Sequence, residues 1–223
     1  CIQCNQCAYV CPHAAIRPFI MTEEEAAKAP ASVKKAQGKA TLKDYQFAIA
    51  ISAMDCTGCG NCSDVCPGMK GNKALTMVSS AGQEAEQANF SYLHSKVGYK
   101  SDLAPKDANV KNSQFAQPLF EFSGACAGCG ETPYVKLITK LFGENMMVAN
   151  ATGCSSIYGA SFPASPYCTN QNGYGPAWAN SLFEDNAEFG LGMRKGAEIV
   201  RDNIAAIMTR GLECDCCSDA IKE

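Results

Sequence analysis

Several features that would point to a common protein class are scarce. The chain has two histidines and one tryptophan in 223 residues. A histidine-built catalytic or metal centre therefore has little to draw on. His13 and His94 read as surface or loop residues, and Trp178 as a packing anchor. Basic residues do not dominate: 19 Lys and Arg face 22 Asp and Glu, for a net charge of −3. A nucleic-acid surface needs a basic excess, so that class is set aside. No apolar run reaches the roughly eighteen residues that a membrane-spanning helix requires. No secretory leader is visible either. The first residue is already a cysteine of the first motif, so the sequence reads as a piece of a longer, cytoplasmic chain.

What the chain has is cysteine, fifteen in all. A disulfide scaffold is expected to be short, secreted and even in its cysteine count. Here the count is odd and the cysteines bunch at two-residue gaps. A Cys-x-x-Cys pair seldom closes on itself outside a redox site, but it wraps readily around a metal centre. The spacing therefore favours metal.

Three regions separate by composition. Residues 1–78 hold eight cysteines in two matching groups, residues 79–118 hold none and read as a polar linker, and residues 119–223 hold the other seven. Within the first region Cys1, Cys4, Cys7 and Cys11-Pro12 repeat as Cys56, Cys59, Cys62 and Cys66-Pro67, around an insert at 13–55. Each repeat continues into a strand-like piece, Ala15–Arg17 and Ala74–Val78. In the insert, Thr22 followed by Glu25 forms a capping box for a short helix that ends before Pro30. Tyr45, Phe47, Ile49 and Ile51 alternate as in a strand.

The run C-x₂-C-x₂-C-x₃-C-P is a two-cluster ferredoxin pattern. Three cysteines on one tight loop reach three corners of one [4Fe–4S] cube. The fourth lies past the reach of that loop and serves the other cube. The expected ligand sets are therefore Cys1, Cys4, Cys7 with Cys66, and Cys56, Cys59, Cys62 with Cys11. Two zinc sites would use paired Cys-x-x-Cys units rather than runs of four with a crossed partner. Small residues such as Gly58 and Gly60 let backbone N–H groups point at the sulfurs.

The third region carries Cys126-Ala-Gly-Cys129-Gly-Glu131-Thr-Pro and Asn150-Ala-Thr152-Gly153-Cys154-Ser-Ser-Ile-Tyr158-Gly159. Cys126, Cys129 and Cys154 offer three corners of a third cube. Cys168, Cys214, Cys216, Cys217 or a residue outside the chain would supply the fourth. Buried structural thiols are the plainer reading of the same residues. Thr132-Pro133 starts a helix with Thr132 as N-cap and with Tyr134, Leu137, Ile138 and Leu141 on one face; Gly143 ends it. Met146–Ala149 then reads as a buried strand, which suggests an α/β sheet. A second helix runs from about Ser181 to Arg210, weak at Gly190 and Gly192 and closed by Gly211.

These motifs, with Gly175-Pro-Ala-Trp178-Ala-Asn-Ser-Leu-Phe-Glu-Asp-Asn-Ala-Glu-Phe189-Gly, resemble the C-terminal part of the large single-chain pyruvate:ferredoxin (flavodoxin) oxidoreductases. The resemblance runs from residue 1 to about 212. It implies an α+β two-[4Fe–4S] ferredoxin-like domain with an insert, followed from 119 to 223 by part of an α/β thiamine-diphosphate-binding domain. It implies three [4Fe–4S] clusters, the third on Cys126, Cys129 and Cys154 with a fourth ligand far downstream. Glu131, Thr152 and Cys154 match positions that line thiamine diphosphate. The Gly-Asp-Gly run that helps hold Mg²⁺ is missing here, so the Mg²⁺ ligands are expected outside the chain. The implied reaction is oxidative decarboxylation of pyruvate with coenzyme A to acetyl-CoA and CO₂. Its electrons leave through the clusters to ferredoxin or flavodoxin. The resemblance also implies a homo-oligomer containing the rest of the same enzyme. A stand-alone polyferredoxin-type carrier and an oxidoreductase for another 2-oxo acid are the alternatives. No residue is assigned a catalytic role, and the Cys214, Cys216, Cys217 tail matches no ligand.

Overall fold

The structure, a computed structural model, describes residues 1–161, 164–214 and 218. Contacts divide the chain into two units, 1–147 with 157–177, and 148–156 with 178–223.

The first unit opens with the short helix α1 (Gln6–Val10), strand β1 (Ile16–Met21), helix α2 (Glu23–Lys28) and strands β2 (Lys35–Gln37) and β3 (Gln46–Ile51). Helices α3 (Asn61–Asp64), α4 (Glu84–Tyr92), α5 (Val110–Ser113) and α6 (Thr132–Phe142) follow. The sheet order is β1-β3-β2, all antiparallel, with Ile16 opposite Ile51 and Lys35 opposite Ala48. The insert thus supplies the sheet: β3 is central, as its alternating pattern suggests, and β1 pairs with it. The capping box forms as expected, since Thr22 Oγ1 accepts from the Glu25 N–H at 3.2 Å and Glu25 Oε2 accepts from the Thr22 N–H at 2.8 Å. Residues 74–78 are not a strand.

Every residue of β1 is buried. Phe19 and Met21 pack with Ala48, Ala50, Phe90, Leu93 and Val97, and Ile20 packs with Leu42, Phe47, Ala104 and Phe115. Stretch 79–118, expected as a linker, is therefore folded. It contributes α4, a π-helical turn at Leu93–Val97 and α5, and Phe90, Leu93, Val97, Ala104 and Phe115 join the cores on the sheet. Its polar average hid this, because one apolar residue per turn is enough to dock a helix on a sheet already buried on that side.

Arg17 lies inside this unit, 1% exposed. Its guanidinium sits between the rings of Phe90 and Phe122, at 5.1 and 5.0 Å. It donates to the Ala14 carbonyl at 2.7 Å and the Tyr99 hydroxyl at 2.6 Å, and it pairs with Glu121. Each donor has a partner, which is what makes a buried cation tolerable. Of the two histidines, His13 lies in a turn, as expected of a loop residue, and His94 departs from its reading by lying in the π-helical turn. His13 is buried and donates from Nδ1 to the Ser123 carbonyl at 2.9 Å. His94 stacks on Phe90 with its Nδ1 2.9 Å from the Tyr99 hydroxyl.

Helix α6 departs from its expected orientation. Thr132 is its first residue rather than its cap, and Gly143 follows its end as expected. Its buried residues are Thr132, Lys136, Thr139 and Lys140, while Tyr134, Ile138 and Phe142 are exposed. The polar side of the helix faces inward and much of the apolar side faces out.

The second unit holds strands β4 (Met147–Ala151) and β5 (Ala177–Ser181), which pair, the short helix α7 (Cys154–Ser156) and the long helix α8 (Asn186–Glu213). β4 is only partly buried, with Met147 exposed. α8 runs unbroken through Gly190, Gly192 and Gly211 and buries none of its residues. Leu191, Ile199, Val200, Ile204, Ile207 and Met208 are exposed along it. Among the described residues no helix is long and apolar enough to cross a membrane.

Candidate metal centres

The two cysteine repeats fold the same way. In the second loop Gly58 and Gly60 have φ of +69° and +84°. In the first loop the matching residues are Gln3 and Asn5, at +61° and +60°. Left-handed backbone costs a non-glycine residue about 1 kcal/mol or more. The side chains show what offsets it. Gln3 Nε2 donates to the Gln37 carbonyl at 2.7 Å, and Asn5 Nδ2 donates to the Lys111 carbonyl at 3.0 Å. The same turn aims N–H groups at sulfur: Gln3 N–H lies 3.4 Å from Cys1 Sγ, and Ala74 N–H lies 3.3 Å from Cys66 Sγ.

Two cavities lie between these loops. One, of about 490 Å³, is lined by Cys1, Cys4, Cys7 and Cys66. The other, of about 360 Å³, is lined by Cys11, Cys56, Cys59 and Cys62, with His13 beside them. The thiols divide four and four, and each cavity takes one cysteine from the opposite repeat. Neighbouring thiols from both repeats act on one another. Burial, with Cys4, Cys62 and Cys66 adding, pushes the Cys7 thiol up to about 12. Burial, with Cys11, Cys56 and Cys59 adding, raises Cys62. Cys66 goes the other way, because N–H groups of Ala74, Gly68 and Leu75 outweigh its burial. Among the described residues no three His, Cys, Asp or Glu side chains converge tightly enough for a single ion. Thiols spread around a cavity suit a cube with iron at four corners.

Behind α1 lies a feature that the cysteine spacing did not reveal. Lys136 of α6, 1% exposed, donates to the carbonyls of Ala8 at 2.5 Å, Tyr9 at 3.1 Å and Cys11 at 2.5 Å. Lys140, one turn on, donates to the Gln114 carbonyl at 2.9 Å and to its Oε1 at 3.3 Å. A lysine on the polar face of an amphipathic helix normally reads as solvated. Only the packing of α6 against α1 shows otherwise.

In the third motif Cys126 and Cys129 form a turn, with the Cys129 N–H bonded to the Cys126 carbonyl at 3.0 Å. Gly128 takes φ +74°, and a Cβ there would sit 3.6 Å from Cys59 Cβ. This turn therefore rests directly on the second cysteine loop. Glu131 follows it at the surface, and its carboxylate, after burial, raises the Tyr158 hydroxyl and pushes Tyr167 up to about 12. Thr152 and Cys154 belong to the second unit and are exposed. Cys154 begins α7, and Thr152 Oγ1 donates to the Ser181 carbonyl at 3.4 Å. Cys168 is half-buried with its Sγ 3.5 Å from the Pro118 carbonyl, and burial pushes its thiol up to about 12. Cys214 caps the end of α8, while Cys216 and Cys217 lie outside the described residues.

Comparison with known proteins agrees with the eight-cysteine framework. Residues 1–70 match the family of 4Fe-4S dicluster domains, so the first part of the chain is a ferredoxin-like dicluster domain. The chain is 57% identical over 221 residues to a pyruvate-flavodoxin oxidoreductase of Enterobacter agglomerans, with 96% of this chain and 18% of that protein covered. It is 55% identical over 216 residues to the pyruvate:ferredoxin oxidoreductase of Moorella thermoacetica, again over 96% of this chain and 18% of the relative. A pyruvate dehydrogenase [NADP(+)] of Cryptosporidium parvum is 52% identical over 213 residues, which is 94% of this chain and 11% of the relative. The resemblance carried by the motifs therefore extends over nearly the whole chain. The chain spans less than a fifth of the length of these relatives.

Proposed function

We propose that this chain is the electron-transfer portion, with part of the cofactor-binding portion, of an enzyme that oxidatively decarboxylates pyruvate with coenzyme A. The products are acetyl-CoA and CO₂, and the electrons leave one at a time to ferredoxin or flavodoxin. The division of eight thiols around two cavities, four and four across the repeats, carries this reading. Identity above 50% to oxidoreductases of that name supports the rest.

The residues suit the clusters that the dicluster match implies: four thiols per cavity, backbone N–H groups aimed at sulfur, and no acidic side chain among the ligands. We assign Cys1, Cys4, Cys7 and Cys66 to one [4Fe–4S] cluster, and Cys56, Cys59, Cys62 and Cys11 to the other. Cys126, Cys129 and Cys154 are assigned to a third, with its fourth ligand supplied from elsewhere in the enzyme. Thiamine diphosphate, when bound, would supply the electron sink for decarboxylation. In this chain Glu131 offers it a carboxylate and Thr152 a hydroxyl, and the Mg²⁺ ligands come from outside the chain.

The contact of the Cys126–Cys129 turn with Cys59 supports an order in which the thiols of Cys11, Cys56, Cys59 and Cys62 would hold the nearer cluster to that turn, and those of Cys1, Cys4, Cys7 and Cys66 the cluster beyond it.

Iron and acid-labile sulfide counts with low-temperature EPR test the proposal. About twelve irons per polypeptide are expected, and about eight would remove the third centre. Cys154→Ser should abolish one EPR signal and spare two. An unchanged spectrum would refute that ligand. Pyruvate- and CoA-dependent reduction of the clusters in the intact protein separates the enzyme from a stand-alone carrier, which would show none.

A further inference from the structure

The interior of the first unit carries more positive charge than its own carboxylates balance. Arg17, Lys136 and Lys140 are 1%, 1% and 4% exposed. Glu121 pairs with Arg17, and neither lysine has a carboxylate partner among the described residues. A buried cation held only by neutral carbonyls costs several kcal/mol unless an opposite charge lies close. Both lysines lie on the same side of Cys11: Lys136 bonds the Cys11 carbonyl itself, and Lys140 stands one turn further along α6. A [4Fe–4S] cube on four thiolates carries a net negative charge, and that charge grows by one on reduction. It is the missing counter-charge.

The contacts of Lys136 add a second term. The carbonyls of Ala8 and Tyr9 close the C-terminal end of α1, the negative end of a helix. Left open, they would face the space between Cys7 and Cys11 and oppose an added electron. Lys136 Nζ caps both.

We propose that Lys136 is a positioning residue that raises the reduction potential of the cluster held by Cys11, Cys56, Cys59 and Cys62 relative to the cluster in the neighbouring cavity, with Lys140 reinforcing it. The step it acts on is simple. One electron enters the cluster, and no bond is made or broken. Charge, hydrogen bonding and burial are the levers that set such potentials. The consequence is that an electron rests on the cluster of Cys11, Cys56, Cys59 and Cys62, and its step to the neighbouring cluster runs uphill. The proposal rests on the cluster assignment above.

The test is an EPR-monitored redox titration of the intact protein, purified without oxygen. Lys136→Met keeps the length of the side chain and removes the charge. At the original midpoint, the reduced-to-oxidised ratio of one cluster should fall about tenfold, equivalent to 59 mV for one electron. That cluster should be the one whose signal Cys56→Ser removes. Lys136→Arg should restore the ratio, and Lys140→Met should lower it about threefold. Unchanged midpoints in Lys136→Met at full iron content would overturn the proposal, as would a shift confined to the other cluster. If Lys136→Met instead loses iron, Lys140→Met decides: a lowered midpoint supports the charge effect, and an unchanged one leaves Lys136 a structural clamp. An iron count well below eight in the unaltered protein would break the cluster assignment itself, an outcome distinct from all of these.

Discussion

The two cysteine loops make the same turn from different materials. The second loop uses glycine at both left-handed positions, and little approaches them: nothing lies within 4 Å of a Cβ built on Gly58, and only Asp64 Oδ2 approaches one on Gly60. The first loop uses Gln3 and Asn5, buried at 3% and 2% exposure and tethered to the insert and to α5. One loop is relaxed and open, and the other is strained and clamped. The difference follows their surroundings. The first loop is walled in by β2 and α5, so its side chains find carbonyls to bind. The second has open space at both positions, so glycine alone meets the left-handed turn there.

The largest effect that would test this comparison is on the crossed ligands. Cys11→Ser and Cys56→Ser should remove the same EPR signal, and Cys1→Ser and Cys66→Ser the other, each with loss of about four irons. If Cys11→Ser and Cys1→Ser silence the same signal, the crossing is wrong. Next come the loops themselves. Asn5→Ala leaves the Lys111 carbonyl without its partner and puts alanine in left-handed backbone, at a cost of about 2–3 kcal/mol. Gly60→Ala incurs only the backbone term, about 1–2 kcal/mol. Guanidinium midpoints for iron release should fall in that order. Gln3→Gly relieves strain but loses the bond to the Gln37 carbonyl, so a net change within about 0.5 kcal/mol is expected. A loss as large as that of Asn5→Ala would show that the tether outweighs the strain.

The smallest effect touches neither loop. Burial, together with the nearby Arg17 charge, holds His94 below its usual 6.5. Its neutral form is favoured in the folded state. Its stabilising contribution is therefore complete above that ordinary value and is lost as pH falls through the lowered one. Unfolding midpoints measured from pH 8 to pH 5 should decline less steeply in His94→Gln, and both clusters should be affected alike.

Local chemistry was the legible part of this chain. The capping box at Thr22 and Glu25, the alternating strand at 46–51 and the glycine after α6 are all decided within a few residues, and all appear as the sequence suggests. What depended on distant partners was not legible. Ala74–Val78 looks like β1 in composition and is not a strand. Lys136 and Lys140 look solvated because α6 is amphipathic, yet α6 turns that polar side toward α1. α8 ignores four glycines because isolated glycines cost a helix only about 1 kcal/mol each, less than the rest of its 28 residues supply. The exposed apolar side chains on α6 and α8 have the composition of a core, and the relatives that match this chain are more than five times its length.

The bond from Lys136 to the Ala8 carbonyl spans 128 positions of chain. Closing a loop of that length costs about 4 kcal/mol in chain entropy. It also imposes a timetable. During synthesis the eight cysteines of residues 1–66 emerge well before α6 exists. Their loops are then available to iron delivery while the end of α1 is still uncapped. Arrival of α6 closes that end with a residue the cysteine pattern never mentions.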